Sequence, residues 1–106
     1  MTIIWSDFAS ANLQDVFLYH TEVAGENVAR NLRNKIFETT KQLGHHPLSG
    51  QVEQSLVCLQ EEHRYLVAGN YKIVYKIIEK VVLITDLFDT RQDPVKINDI
   101  KRKPGR

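Results

Sequence analysis

The sequence predicts an α+β fold, in which an N-terminal strand and a helical hairpin pack on a small antiparallel β-sheet. Three observations support this prediction. Apolar residues recur at helical spacing in the first half of the chain, β-branched and aromatic runs fill the second half, and glycine and proline separate the two halves. The 106 residues suffice for one compact core. We therefore expect a single domain over residues 1–98, followed by a basic, mobile tail over residues 99–106.

The first predicted strand covers the short apolar run Thr2–Trp5. Ser6 follows it, and a serine hydroxyl is suited to capping a helix. Apolar residues then recur at i, i+4, i+7 and i+8, the spacing of a helix with one apolar face: Ala9, Leu13, Val16 and Phe17. We expect this first helix to end near His20 or Glu22, before the interruption at Gly25.

A second amphipathic helix is predicted beyond Gly25, because apolar side chains again recur at intervals of three and four: Val28, Ala29, Leu32, Ile36, Thr40 and Leu43. Gly44 can adopt the left-handed conformation that ends helices, and Pro47 cannot continue one. The polar segment from Pro47 to Gln54 is predicted to be a connecting loop. Two helices with a short connection form a helical hairpin.

The rest of the chain is predicted to form three or four strands in a meander. The β-favouring runs are Ser55–Gln60, Arg64–Ala68, Tyr71–Ile78 and Val81–Phe88. Gly69-Asn70 suits a tight hairpin turn, and Glu79-Lys80 is a plausible two-residue turn. The helical hairpin must bury its apolar face against one side of the sheet, so the other side, or a groove along it, is available for a partner.

Composition excludes several classes of function. The single cysteine, Cys58, cannot form an internal disulfide, and cysteine and histidine are too few for a structural zinc site. No segment resembles a signal peptide or a membrane span, so we expect a cytoplasmic protein that does not bind membranes. The phosphate-binding loop, the serine hydrolase elbow and the zinc protease motif are all absent from the sequence, and we expect no cofactor and no metal.

Charge is distributed unevenly along the chain. Residues 1–62 contain four basic and eight acidic side chains, whereas residues 63–106 contain ten basic and five acidic ones. Such asymmetry indicates either a face that meets an anionic partner or a solvated surface of uneven charge. Convergence of Arg64, Lys72 and Arg91 near one end of the sheet would form a cationic patch suited to phosphate or carboxylate. Arg91 also lies between Asp89 and Asp93, which is typical of a structural ion pair.

Other candidates are a histidine and three tyrosines in or beside the predicted strands. His63 is a candidate general base if it faces the cationic patch. Tyr65, Tyr71 and Tyr75 could stack on bases, but alternating tyrosines in a half-buried strand are more typical of a core, and we predict that role for Tyr75.

Several motifs together resemble the RelE/ParE superfamily of toxins from type II toxin-antitoxin systems. They are Trp5 before the helical hairpin, Leu43-x-x-x-Pro47-x-x-Gly50, the run HRYLVAGNYKIVY from His63 to Tyr75, Val82-Leu83-Ile84, and the run FDTRQDP from Phe88 to Pro94. The resemblance covers about residues 3–97. It implies the fold predicted above and a protein that inhibits growth. It also implies a cognate antitoxin, encoded by an adjacent gene, which neutralises the toxin by forming a hetero-oligomer with it.

Two mechanisms exist in this superfamily. RelE-like toxins cleave messenger RNA on the ribosome with basic side chains, whereas ParE-like toxins poison DNA gyrase. The resemblance places Lys72 where RelE-like toxins have a catalytic arginine, and Arg91 at their arginine after the last strand. However, His63 and Tyr65 replace two lysines, and a tyrosine beyond the last arginine is missing.

These differences favour a ParE-like toxin that acts without its own catalysis. The alternative is a ribosome-dependent mRNA endonuclease, in which Lys72 and Arg91, with Arg64, stabilise the transition state and His63 or Tyr65 carries the proton. A third hypothesis is an inert module that serves mainly as a partner for the antitoxin.

Overall fold

A computed structural model describes residues 1–53 and 62–91. In these ranges the elements are β1 (Thr2–Trp5), α1 (Asp7–Ala24), α2 (Glu26–Lys41), a 3₁₀ turn (Gln42–Gly44), β2 (Gln51–Val52), β3 (Arg64–Ala68), β4 (Tyr71–Ile78) and β5 (Val81–Asp89). The five strands form one sheet in the order β1-β5-β4-β3-β2. The predicted α+β class is therefore confirmed.

The sheet is mixed because its N-terminal edge strand is parallel to its neighbour. β1 pairs with β5 in parallel, from Thr2 opposite Val81 to Trp5 opposite Ile84. The other three strand pairs are antiparallel, as expected for a meander. The helical hairpin leads from β1 to β2 at the opposite edge of the sheet, and the antiparallel strands β2 to β5 then bring the chain back beside β1.

The two helices are joined through a single residue. Ser6 caps α1, since its hydroxyl accepts a hydrogen bond from the Ala9 amide at 3.0 Å. α1 continues two residues beyond Glu22 to Ala24, and it is followed by Gly25, whose φ of 96° lies in a region that favours glycine. The second helix is shorter than predicted, because its last turn tightens into the 3₁₀ turn that contains Leu43.

The core lies between the helical hairpin and one face of the sheet. The helices contribute Ala9, Ile36 and, from the 3₁₀ turn, Leu43, and all three are fully buried. The sheet contributes side chains that alternate along the two central strands: Tyr71, Ile73, Tyr75, Val82, Ile84 and Leu87. The prediction that Tyr75 belongs to the core is confirmed.

The two predicted turns are confirmed, and β5 contains a bulge. Gly69 and Glu79 both have positive φ values, 59° and 55°. Val74 pairs with Asp86 and Tyr75 pairs with Ile84, so Thr85 is an extra residue in β5. Beside this bulge, the buried Asn12 of α1 donates a hydrogen bond to Asp86 Oδ1 at 2.9 Å. The bulge thus coincides with a polar contact between α1 and the sheet.

Some predictions fall on residues 54–61 and 92–106, outside the described ranges. These are the whole predicted strand Ser55–Gln60, the cysteine Cys58, the end of the last motif at Pro94, the domain limit at residue 98 and the tail over residues 99–106. The predicted loop Pro47–Gln54 contains the short strand β2. Within the described ranges, no helix has the length and apolar character needed to cross a membrane.

Candidate functional site

The sheet face opposite the helices contains a cluster around Lys72. Strand alternation puts Tyr71 and Ile73 in the core and Lys72 on the other face. The Lys72 ammonium donates hydrogen bonds to both carboxylate oxygens of Glu53, at 2.9 and 3.4 Å. It also lies 4.3 Å from the centre of the Tyr65 ring. The Glu53 side chain is only 5% exposed, so the charge of Lys72 is compensated inside the protein.

Tyr65 lies on the same face and is directed toward β2. Its hydroxyl donates a hydrogen bond to Gln51 Oε1 at 3.1 Å, and its ring lies against the Lys72 ammonium. Tyr65 pairs with Gln51 across the β2–β3 ladder, which explains why the two side chains meet. The residue thus connects the edge strand to the Lys72 cluster.

Arg64 holds the chain that leads into β2. Its guanidinium donates to the Gly50 carbonyl at 2.8 Å and to the Leu48 carbonyl at 3.4 Å. Its Nε also forms an ion pair with Glu62 at 2.9 Å. The planar, multiply donating guanidinium suits such a role, because it can hold several acceptors at once. Arg64 therefore stabilises the loop before β2.

The buried hydroxyl of Tyr75 connects to the same loop. It donates to the Pro47 carbonyl at 2.7 Å and accepts from the Gly50 amide at 2.9 Å. Burial raises the pKa of Tyr75 and outweighs the opposite effect of the Gly50 hydrogen bond. A Cβ atom at Gly50 would lie 2.6 Å from the Tyr75 hydroxyl, so only glycine fits there without displacement.

His63 is buried, with 5% of the residue exposed. Its carbonyl accepts a hydrogen bond from the Glu53 amide at 2.7 Å. This contact continues the pairing of β2 with β3 and places the buried Glu53 carboxylate within reach of Lys72. The backbone of His63 therefore positions the acidic partner of the Lys72 cluster, and its side chain is screened from solvent.

Arg91 forms a separate ion pair at the end of β5. Its Nε and terminal nitrogen donate to the two oxygens of Asp89 at 3.0 and 2.7 Å, in the fork geometry typical of arginine. These hydrogen bonds lower the pKa of Asp89 and raise the pKa of Arg91. This contact to Asp89 agrees with the interpretation of Arg91 as part of a structural ion pair.

An aromatic and histidine cluster adjoins this ion pair. The Tyr71 hydroxyl and His20 Nε2 are hydrogen-bonded at 3.0 Å, and the His20 ring packs edge-on against Tyr19. Burial raises the pKa of Tyr71, and the nearby Asp89 carboxylate adds to the effect. This cluster connects the end of α1 to the end of the sheet.

The three predicted cations do not form one patch. Arg64 pairs with Tyr75 and Ala68 pairs with Tyr71, so Arg64 and Arg91 lie at opposite ends of the β3–β4 hairpin. Lys72 and Tyr71 lie on opposite faces of β4, and Arg91 lies beside Tyr71. Each cation has its own carboxylate, from Glu62, Glu53 and Asp89. Of the predicted site residues, Tyr65 alone joins Lys72 in one cluster.

Sequence reasoning missed the acidic and polar partners of these residues. Glu53, Gln51 and His20 were not candidates, because each meets its partner only through strand pairing or helix packing. A glutamate between a loop and a strand shows no sign of burial in the sequence. Within the described ranges, the structure contains no group of three side chains that could hold a metal ion.

A second feature is a groove along the outer side of the helical hairpin. It encloses about 590 Å³. Its walls are mostly apolar and come from the end of β1 and from both helices: Trp5, Ser10, Leu13, Gln14, Phe17, Leu18, Arg33 and Phe37. Trp5 and Phe37 meet edge to face, with ring centres 5.8 Å apart. An apolar groove of this kind suits the side chains of another protein.

Comparisons with known proteins agree with this architecture. A family model described as the ParE toxin of the type II toxin-antitoxin system, parDE, matches residues 3–94. Among solved structures, a chain of the chromosomal ParDE TA system from P. aeruginosa matches with a TM-score of 0.72 at 16% sequence identity, over 84% of this chain and 95% of that chain. At this identity the structural match shows a shared fold. No curated protein matches the chain in sequence. Because the family model covers nearly the whole chain, the protein belongs to the ParE toxin family of type II toxin-antitoxin systems.

Proposed function

We propose that this toxin inhibits growth by binding DNA gyrase and that it does not cut RNA with its own side chains. A cognate antitoxin, encoded by an adjacent gene, neutralises it in the cytoplasm. Membership of the ParE family supports the gyrase branch of the superfamily. The P. aeruginosa chain of the same fold belongs to a ParDE TA system, which supports an antitoxin partner.

One observation carries the choice between the two mechanisms: every candidate catalytic cation is bound to a carboxylate of the same chain. A nuclease stabilises the charge that develops on a phosphate with donors aimed at that phosphate. Here Lys72 is directed at the buried Glu53, and the fork of Arg91 is directed at Asp89. The imidazole of His63, the candidate base, is buried. The residues therefore favour a structural role over phosphate chemistry.

The experiment is inducible expression of the chain alone, with mRNA cleavage mapping and plasmid supercoiling measured in the same culture. The purified chain is then added to DNA gyrase in a supercoiling assay. We expect arrested growth, intact mRNA and inhibited gyrase. Arg91→Ala is the test variant, and Lys35→Ala, which removes an exposed cation of α2, is the matched control. Both variants are expected to inhibit gyrase as the natural chain does.

Two results would contradict the proposal. Cleavage of mRNA at codon positions that disappears in Arg91→Ala, but not in Lys35→Ala, would identify the ribosome-dependent endonuclease. Normal growth and normal supercoiling during expression would identify an inert module. For the antitoxin, co-expression of the small open reading frame next to the gene is expected to restore growth.

A further inference from the structure

The sheet face opposite the helices carries side chains of the kind that bind single-stranded nucleic acid. Val67 pairs directly with Lys72 across β3 and β4, and Tyr65 lies two residues before Val67, so all three side chains share this face. Val67 is 55% exposed, and the Lys72 side chain is partly exposed. Bases stack on aromatic rings and cationic side chains bind phosphates, so a tyrosine ring beside a lysine favours this class of ligand.

The carboxylate of Glu53 occupies the cation of this face. Both of its oxygens accept hydrogen bonds from the Lys72 ammonium, at 2.9 and 3.4 Å. The ammonium also lies 4.3 Å from the centre of the Tyr65 ring. Carboxylate and phosphate oxygens bind an ammonium through the same charge-assisted hydrogen bonds. Glu53 therefore takes the place that a phosphate of a nucleic acid would take beside Lys72.

The backbone holds Glu53 beside Lys72. The Glu53 amide donates a hydrogen bond to the His63 carbonyl at 2.7 Å, one step beyond the pairing of Val52 with Arg64. An anion from solution must compete with a carboxylate that is already in place, and such an intramolecular partner has a high effective concentration.

Burial distinguishes Glu53 from the other acids that pair with the candidate cations. Its side chain is 5% exposed, whereas the side chains of Asp89 and Glu62 are 18% and 58% exposed. An exposed acid exchanges its partner for water at little cost, but a buried carboxylate that leaves its cation loses a contact that water does not replace. Of these three pairs, the contact between Glu53 and Lys72 is thus the hardest for an external anion to open.

We propose that Glu53 determines the specificity of the toxin by holding its carboxylate on Lys72, which prevents the sheet face from binding RNA. Without this contact, the abundant single-stranded RNA of the cell would compete with a protein target for the chain. Rejecting a wrong ligand is a common route to specificity. The proposal rests on the proposed function, in which the toxin acts on DNA gyrase and RNA is not a substrate.

The test measures how a fluorescein-labelled single-stranded RNA of about 12 nucleotides binds to the full chain, by fluorescence anisotropy. Glu53→Gln keeps the shape of the side chain and removes its charge. It is expected to tighten RNA binding by about tenfold, because Lys72 becomes available to a phosphate. The slope of log affinity against log salt concentration is expected to steepen by about 0.7, the value for one more phosphate contact with a single strand. Adding Lys72→Met to Glu53→Gln is expected to restore the affinity of the natural chain.

Glu62→Gln is the matched control, because it changes the net charge by the same amount. Glu62 pairs with Arg64, whose guanidinium also donates to the Gly50 carbonyl. RNA affinity is expected to stay within about twofold of the natural chain, since no additional phosphate contact is created. Circular dichroism verifies that the variants are folded. Glu53→Leu removes the same charge with an apolar side chain, and it replaces Glu53→Gln in the test if that variant does not fold.

Three results would overturn the proposal. The first is equal RNA affinity of the natural chain and the Glu53 variant. The second is an equal gain in Glu53→Gln and Glu62→Gln, which would show an effect of net charge alone. The third is a gain that persists in the double variant with Lys72→Met, because Lys72 would then not be the group that binds the phosphate.

A gyrase supercoiling assay separates failure of this proposal from failure of the proposed function. Without RNA, the natural chain and Glu53→Gln are expected to inhibit gyrase equally. Excess RNA is expected to relieve the inhibition by Glu53→Gln only, and gyrase with RNA but without toxin is the control. Equal relief for both chains would overturn the role of Glu53. If the natural chain does not inhibit gyrase, the proposed function fails, whereas the expected RNA affinities would still support exclusion of RNA by Glu53.

Discussion

The two faces of the molecule use their side chains in opposite ways. On the sheet face opposite the helices, the Lys72 ammonium contacts the Glu53 carboxylate and the Tyr65 ring, so these groups find their partners within the same chain. Along the helical hairpin, Leu18 and Phe37 are exposed and Arg33 has no carboxylate partner within the described ranges. The candidate catalytic cations therefore face carboxylates of their own chain, whereas the helical hairpin exposes apolar side chains to solvent.

The largest effect on stability is expected from Gly50→Ala. The new Cβ would lie 2.6 Å from the Tyr75 hydroxyl and 2.7 Å from the Tyr65 carbonyl oxygen. Such overpacking is expected to lower the free energy of unfolding by about 3 kcal/mol, measured by urea denaturation. Tyr75→Phe removes the hydroxyl without adding volume, and it is expected to cost about 1.5 kcal/mol. A loss of less than about 1 kcal/mol in Gly50→Ala would show that the loop adapts and that this side of the sheet is not tightly packed.

Lys72→Met tests whether the Lys72 cluster is structural. The substitution removes the Lys72 ammonium from the buried Glu53 carboxylate, and we expect a loss of about 2 kcal/mol, since Lys72 is partly exposed. The double variant Glu53→Leu with Lys72→Met removes both charges and is expected to regain most of this loss. Stability is measured by thermal and urea unfolding. Unchanged stability in the single variant would show that the contact between Lys72 and Glu53 is not needed for folding, and it would weaken the contrast between the sheet face and the helical hairpin.

A smaller effect is expected from acid at the Asp89–Arg91 pair. Hydrogen bonds from Arg91 lower the pKa of Asp89 in the folded protein. Stability from this pair is therefore fully present above the usual aspartate pKa of about 3.9, and it is lost as the pH falls through the lower folded value. Asp89→Asn is expected to reduce the loss of stability on acidification, and the measurement is urea unfolding between about pH 6 and pH 2.5. An unchanged pH profile would argue against the pair.

The smallest effect on stability is expected from Leu18→Glu in the groove. Leu18 is already half exposed, so the free energy of unfolding is expected to change by no more than about 0.5 kcal/mol. A large loss would show that the groove is part of the core, and the comparison between the two faces would fail. A change within about 0.5 kcal/mol would support the view that Leu18 contributes little to the core.

The order of the elements could be predicted from the sequence because helical and strand spacing are local properties. The apolar residues of α1 and α2, the turn at Gly69 and the β4 and β5 runs all show their structure within short windows. The exact end of α1 was harder to predict, because Gly25 ends the helix and the last residue of the apolar pattern does not. The parallel pairing of β1 with β5 could not be predicted from short windows of sequence, because the two strands are about 80 residues apart.

The candidate site was harder to predict than the fold for the same physical reason. Lys72 and Arg91 attract attention as cations, but their roles depend on the acids that face them. Glu53 reaches Lys72 only through the β2–β3 pairing, which brings the Glu53 amide to the His63 carbonyl. Asp89 was the exception, since it lies two residues from Arg91 and was a candidate partner in the sequence. The groove was also out of reach, because it is formed by the relative placement of two helices.

The pairing of the first strand with the last described one has a consequence for biosynthesis. The hairpin of α1 and α2 consists of contacts close in sequence and is expected to form early, whereas β1 must wait for β5. Trp5, at the end of β1, also forms a wall of the groove, so that wall is fixed only when Ile84 has been made. We therefore expect that a product shortened before Val81 lacks both an ordered N-terminus and a finished groove. The groove would then be complete only after β5 has been synthesised.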